Sequence, residues 1–273
     1  MILNGKYLKR IPYRDLRGTY GTSGQLYIAE DVKGTRFLVK TKSVDAANEY
    51  VAHRIAKIIG VQTSDAVLIK ENNNDVSVRI KYEQDFTRVS MDDFRGSERY
   101  KNSEILLNGE QIKHAPEYEL KYPDDSPFLA DLMAYMCFRR LIVLEDNPQL
   151  AFARNRLISF DYAESFYLTE ESFGAMLMTK DISIPLSVFC DHLLLDGSYI
   201  SAIAVLRRPD TDFLIDAFLA PLNKFEDTNL DPILADLDAV FPPCFRLLWW
   251  TIVNKVDRKI KKAIQIGLET KGY

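Results

Sequence analysis

The chain is poor in cysteine, and the cysteines it has are dispersed. Cys137, Cys190 and Cys244 form no CxxC pair, and the three histidines are equally scattered. A disulfide framework and a zinc site are both disfavoured, and a reducing compartment is the simpler expectation. No apolar run approaches the roughly 20 residues that span a bilayer. The stretch CFRLLWWTIV is interrupted by Arg246 and reads as a buried helix. The opening MILNGKYLKR is too short and too polar for a secretory leader. A soluble cytoplasmic protein with no membrane contact is expected. Basic charge is not in surplus either: 35 Lys+Arg face 39 Asp+Glu, a net charge of -4. A protein built mainly to hold nucleic acid needs a basic field, so no direct nucleic-acid binding is expected, although a local basic cleft is not excluded. There is no internal repeat and no low-complexity tract.

What is present is a substantial core. With 273 residues, 47% of them hydrophobic, the chain suffices for one large domain or two modest lobes. Residues 1–90 read as strands around one helix. GQLYIAED and TRFLVKT are β-rich and joined by a tight turn at Asp31-Val32-Lys33-Gly34, which predicts a hairpin. VDAANEYVAHRIAKIIG carries Val51, Ile55, Ile58 and Ile59 at helical spacing, with Gly60 placed to end the helix. AVLIKE and DVSVRIKY follow as a second hairpin across NNND. Residues 91–127 are polar and turn-rich and read as a connecting insert. Residues 128–273 read as mostly helical, in PFLADLMAYMCFRRLIVLE, IPLSVFCDHLLLD, YISAIAVLRR, TDFLIDAFLAPL and FRLLWWTIVNKVDRKIKKAIQIGLE, interrupted by a short strand in NRLISFDYAESF. The expected fold is α+β: a small antiparallel β lobe with one helix, then a larger helical lobe. That bilobal plan is the organisation of protein kinases, an analogy of fold that carries no activity by itself.

Several residues could carry phosphate chemistry, which needs a backbone loop over the phosphates, a lysine with an orienting carboxylate, a metal-binding carboxylate and a base. RGTYGTSGQLY places Gly18, Gly21 and Gly24 every three residues directly before the first hairpin strand. Such glycines let backbone N–H groups approach phosphate oxygens, with Thr22 and Ser23 adding hydroxyls; ordinary turns have the same look. Lys40 ends an apolar strand, and Glu49 lies in the first turns of the following helix, where a carboxylate also suits the helix dipole. Either Lys40 is a solvated strand-end lysine, or it is buried and paired with Glu49 because an unpaired buried ammonium is costly. Asp161 follows the apolar strand Leu157–Phe160 and is placed either to bind a metal or to cap the next turn.

Taken in order, these segments resemble the HipA-like family of serine/threonine kinases, bacterial proteins with a protein-kinase-like fold. YGTSGQLYIAEDVKGTRFLVKTKS resembles the family's glycine- and serine-containing loop and strand lysine, and ANEYVAHRIAKIIGV resembles its helix. KYEQDFT resembles the segment linking the lobes, and ISFDYAESF the metal-binding aspartate motif. The similarity runs from about residue 15 to 170. It implies a kinase that binds ATP and magnesium and phosphorylates serine or threonine on a protein. The implied ATP contacts are Gly21, Thr22, Ser23, Gly24, Lys40, Tyr82 and Glu83; Lys40 holds phosphates and Glu49 orients it, while Asp161 binds the metal. The family also implies that a small DNA-binding protein is sometimes a partner.

One segment departs from the pattern. The family's catalytic loop reads Asp-Arg-His, two residues, then asparagine, and here the stretch is VLEDNPQLAF. Leu144 stands in place of the catalytic aspartate and Gln149 in place of the asparagine. Leucine cannot accept a proton. Asp146 takes the role if the loop bends differently, and the Gln149 carbonyl still suits magnesium; otherwise the loop is dead. The alternative function is then a nucleotide-binding pseudokinase that regulates or binds proteins, and a helical interaction protein without a nucleotide site is a third reading. Trp249 and Trp250 read as core, KVDRKIKK as a solvated helix face, His53 as a structural histidine, and Ser165 as a turn or cap.

Overall fold

The computed structural model of the chain describes residues 3–4, 9–11, 26–71, 75–83, 87–89, 95–99, 104–107, 110–113, 117–120, 127–144, 149–153, 155–167, 169–179, 211–226, 228–243 and 246–251. Six strands make one sheet: β1 (Leu3–Asn4), β2 (Lys9–Ile11), β3 (Leu26–Glu30), β4 (Arg36–Lys40), β5 (Ala66–Lys70) and β6 (Val76–Lys81), in the order β1-β5-β6-β4-β3-β2. The two expected hairpins, β3–β4 and β5–β6, are joined by antiparallel pairing of β4 with β6. The sheet is not wholly antiparallel, as the sequence suggested: β1 runs parallel to β5, pairing Leu3 with Ile69.

Local chemistry explains the first turn. The Asp31 carboxylate accepts the N–H groups of Lys33 at 2.8 Å and Thr35 at 2.9 Å, and the Asp31 carbonyl accepts that of Gly34 at 3.0 Å. Gly34 takes φ 77°, where a side chain is strained. The hydrogen bond from Thr35 leads in holding the Asp31 carboxyl below its usual range.

Helix α1 (Ser43–Ile59) buries Val44, Ala47, Val51, Ile55 and Ile59, spaced three and four apart, against β5 and β6. Gly60, at φ 86°, ends it. The Val61 N–H returns to the Ala56 carbonyl at 2.8 Å and that of Gly60 to Lys57 at 3.3 Å, the paired bonds that close a helix over a left-handed glycine.

Residues 91–127, expected only as a turn-rich insert, carry strands. β8 (Arg95–Arg99) pairs with β11 (Glu117–Leu120), and β9 (Glu104–Leu107) with β10 (Glu110–Lys113), all antiparallel. Polar residues occupy most of these positions, and the apolar alternation is confined to the four residues Glu117–Leu120, too short a run to stand out from a turn-rich segment. Just before them, β7 (Thr87–Val89) joins β12 (Leu150–Ala153) and β13 (Arg156–Ser159) in a three-stranded sheet.

The helices that follow are α2 (Pro127–Leu141), α3 (Glu170–Thr179), α4 (Thr211–Glu226) and α5 (Asp231–Asp238). α2 packs on α4 and β13, and α4 also packs on α1. One hydrophobic cluster therefore runs from Val51 and Ile55 of α1, through Phe138 of α2 and Phe218 of α4, to Trp249. α3 and α5 were not read from the sequence. Thr169 and Ser172 exchange side-chain and backbone bonds at the start of α3, whereas α5 starts on Leu230 after a turn in which Asn229 Oδ1 accepts the Asp231 N–H at 2.9 Å. The tryptophan reading needs correction. Trp249 is fully buried, but Trp250 is 53% exposed, because neighbours on a helix point about 100° apart. The segments IPLSVFCDHLLLD, YISAIAVLRR and KVDRKIKK lie outside the described residues. Among the described residues, no helix is long and apolar enough to cross a membrane.

A single buried carboxylate fixes α2 to β13. Asp131 accepts Arg156 Nε at 2.8 Å, a second guanidinium bond, and the Leu157 N–H at 3.1 Å. Asp131→Ala strips three donors of their acceptor. A loss of about 2–3 kcal/mol in unfolding free energy is expected, to be read by urea denaturation; a loss below about 0.5 kcal/mol, the range of ordinary surface changes, would show that the bond network is redundant.

Candidate functional site

Lys40 is the last residue of β4, and both sheet faces are covered there: Val39 is buried on one side and Lys40 on the other. Its ammonium lies between two carboxylates, donating to Glu49 Oε1 and to Asp161 Oδ1. Of the two readings of this lysine, solvated or paired, the structure has the paired one. The strand that raises it pairs with β3 (Leu26↔Lys40) and β6 (Lys40↔Val78), so its base is held from both sides.

Glu49 is fully buried on α1, and burial by itself raises a carboxyl pKa. The Lys40 ammonium, with the His53 ring beside it, outweighs that cost and holds the group at about 2. Burial pulls the other way on Lys40, but the two carboxylates raise its pKa above the ordinary lysine value. Asp45, in the first turn of α1, is half-buried near the same charges, and its carboxyl is raised, chiefly by desolvation.

Asp161 follows β13 and is 43% exposed, the open side of this cluster. It adopts φ 64°, a left-handed conformation that aspartate tolerates better than most residues. Three bonds hold the turn behind it. Asn48 Nδ2 of α1 donates to the Ala163 carbonyl at 2.6 Å, the Phe166 N–H donates to Ile142 beyond α2 at 2.6 Å, and Ser165 N–H closes on Tyr162 at 3.0 Å. Ser165 thus sits in a turn, as read.

The segment after α2 is also strained. Val143 takes φ 49°, unusual for a β-branched residue. Leu144 then sends its N–H to the Arg139 carbonyl at 2.8 Å, while its own carbonyl accepts Arg139 Nε and Nη2 at 3.2 and 3.1 Å. The Leu144 side chain is buried in the main core. Gln149 is half-buried, and its carbonyl accepts the Phe160 N–H at 3.1 Å, one residue before Asp161.

Of the residues predicted for the site, the fold therefore brings Lys40, Glu49 and Asp161 together and places the Gln149 backbone beside Phe160. Tyr82 and Glu83 follow β6; Tyr82 donates its N–H to Arg36 at 2.9 Å, and Glu83 is buried with Lys81 Nζ 3.9 Å away. They lie at the far end of β4 from Lys40, four residues or about 13 Å along the strand from its partner Val78. Gly21, Thr22, Ser23, Gly24 and Asp146 lie outside the described residues. The sequence reading missed Asn48, Thr63 and Tyr162 and gave His53 only a structural role. The structure gives each of the consecutive residues Asn48, Glu49 and Tyr50 a bond: Asn48 to Ala163, Glu49 to Lys40, and the Tyr50 hydroxyl to Asp236 of α5.

The arrangement of sheet, α1 and helices is a kinase-like fold. The chain is similar over its length to the proinflammatory kinase CtkA of Helicobacter pylori, with a TM-score of 0.58, covering 98% of this chain and 99% of that one. The identity is 15%, so the likeness is one of fold. A chain from the HipA–HipB–operator DNA complex of Shewanella oneidensis MR-1 aligns over 93% of this chain and 67% of its own, at 10% identity and a TM-score of 0.38, too loose a superposition to bear weight. No protein-family model matches the sequence, and no curated protein matches it.

Proposed function

We propose that the chain is a HipA-like kinase that transfers the ATP γ-phosphate to serine or threonine of a protein. One observation carries the reading: a lysine at the end of a central strand, buried between a helix glutamate and an aspartate that follows a second sheet. A kinase-like fold uses such a lysine to neutralise phosphates and such a glutamate to orient it. In this reading residues 1–90 form the nucleotide-binding lobe, 91–127 the insert and 128–273 the helical lobe. Gly21, Thr22, Ser23 and Gly24 cover the phosphates, and Tyr82 and Glu83 flank the adenine. The protein substrate has no signature in the chain, and a small DNA-binding partner rests on the family resemblance alone.

The residues fit magnesium in a limited way. The ion takes one or two carboxylates, keeps waters and shares phosphate oxygens; half-exposed Asp161 and the neighbouring Gln149 match that need. Among the described residues no group of three or more acidic, histidine or cysteine side chains offers a protein-only cage. Magnesium, when bound, supplies charge neutralisation on the phosphates. Lys40 has three donors, enough to keep Glu49 while turning one toward phosphate.

A second reading has its own observation. Leu144, which stands where the family has its catalytic aspartate, is buried in the core and can serve no proton transfer. That favours a pseudokinase that binds nucleotide and acts through protein contacts. Incubation with ATP and magnesium, followed by mass spectrometry of the protein and by a thermal-shift titration, separates the two. Phosphate on a seryl or threonyl side chain supports the kinase. A shift without transfer supports the pseudokinase, and no ATP-dependent shift overturns both.

A further inference from the structure

We infer that His53 is a positioning residue, holding the second oxygen of Glu49 so that the first faces Lys40; the inference deepens the proposed nucleotide site and rests on that reading. His53 lies one turn beyond Glu49 on α1 and is fully buried. Its Nε2 is 3.2 Å from Glu49 Oε2, the oxygen that Lys40 does not take.

The ring's other edge is held as well. Nδ1 lies 3.1 Å from the Ser64 carbonyl, which holds that edge of the ring in place. Thr63 Oγ1 is 2.7 Å from the same nitrogen and donates its own hydrogen to the Ser159 carbonyl at 2.9 Å, leaving a lone pair toward the ring. With Nδ1 held between Ser64 and Thr63, Nε2 is the edge turned to Glu49, and the proposal places on Nε2 the hydrogen that makes the contact attractive. The Tyr162 ring closes the face, 4.8 Å away and edge-on, and its hydroxyl bonds Ser159 Oγ.

The path therefore links Glu49 to the strand that leads into Asp161. From Glu49 it runs through His53 and Thr63 to the Ser159 carbonyl, two residues before Asp161. Ser159 N–H also donates to Gln62 at 3.0 Å, so the segment after α1 and the end of β13 are tied at both backbone and side chain. A merely space-filling ring would need neither nitrogen.

Two amide variants divide the ring's functions. The amide nitrogen of His53→Gln stands near Nε2 and can reach Glu49, whereas that of His53→Asn stands near Nδ1 and can reach only Ser64. Titrations with Mg–ATP are expected to show His53→Gln within about threefold of wild type and His53→Asn weaker by about tenfold, the usual cost of losing a partner behind a binding group. The reverse order overturns the proposal, as does failure of the Gln variant to fold, because either makes the ring architectural. A double-mutant cycle in urea with Glu49→Gln, run without nucleotide, keeps the test independent of ATP. Non-additive effects of His53→Asn and Glu49→Gln support the link, and additive effects overturn it. If the cycle shows coupling while wild type binds no nucleotide, the kinase reading falls and the His53–Glu49 link stands.

Discussion

Lys40→Met is expected to lower the unfolding free energy by about 3–5 kcal/mol, the cost of stranding a buried carboxylate without its cation. The magnitude follows from asymmetry. Glu49 is fully buried, whereas Asp161 is 43% exposed and can turn to water when the lysine is gone. Most of the penalty should therefore sit on Glu49, and the double variant Lys40→Met/Glu49→Leu should recover much of it. Urea denaturation of the three proteins checks this. A single variant as stable as wild type would mean that the pair is not formed in solution. The same variant should abolish the ATP-dependent thermal shift, since Lys40 is the cation held between Glu49 and Asp161.

The pair also sets a pH window. Glu49 titrates at about 2 in the folded chain against an ordinary value of 4.5. Its contribution is complete above the unfolded value and is lost as pH falls from near 4.5 toward 2. Lys40 is shifted upward from 10.5, so its contribution is complete below that value and lost as pH climbs beyond it. Stability in the Lys40→Met/Glu49→Leu variant should fall less steeply at both ends than in wild type. Parallel curves would place the acid and alkaline limbs elsewhere.

The second large effect separates Asp161 from Asp146. Asp161→Asn removes a charge on the open side of the Lys40 cluster and should weaken magnesium-dependent nucleotide binding whether or not the chain transfers phosphate. Asp146→Asn should leave binding nearly intact. If Asp146 is the base, transfer should fall by about 10²–10⁴-fold, the usual share of a general base. With the Leu144 side chain committed to the core, position 144 is closed to that role. Wild-type transfer in Asp146→Asn would remove the remodelled-loop idea and call for another base. Transfer absent in wild type, with ATP held through Lys40 and Asp161, selects the pseudokinase. Unchanged Mg–ATP binding in Asp161→Asn would remove the metal site from both readings.

Much of this architecture is written locally. The β3–β4 hairpin follows from Asp31 and Gly34, whose turn bonds reach no further than five residues. The span of α1 follows from apolar residues at helical spacing and from Gly60. Lys40 and Glu49 were legible as a pair because a strand and its next helix are nine residues apart and few arrangements are open to them. Asp161 was legible as an exit from an apolar strand.

What local pattern could not encode is which distant groups meet. The polar strands of 91–127 carried only a four-residue alternation, at Glu117–Leu120, and β1 had only two residues with which to signal a parallel pairing. Asp161 on Lys40, Asn48 on Ala163 and Tyr50 on Asp236 join positions more than a hundred residues apart. The partner of each is chosen by the packing of α1 against the sheet and against α4. His53 shows the division most plainly. A histidine one turn from a glutamate has the same sequence spacing whether it faces solvent or core, and its role appears only once Ser64, Thr63 and Tyr162 enclose it. The chain's own sequence determined the elements and the order of the charged residues along them. Tertiary burial decided which charges must pair, because the cost of an unpaired charge exists only where water has been excluded.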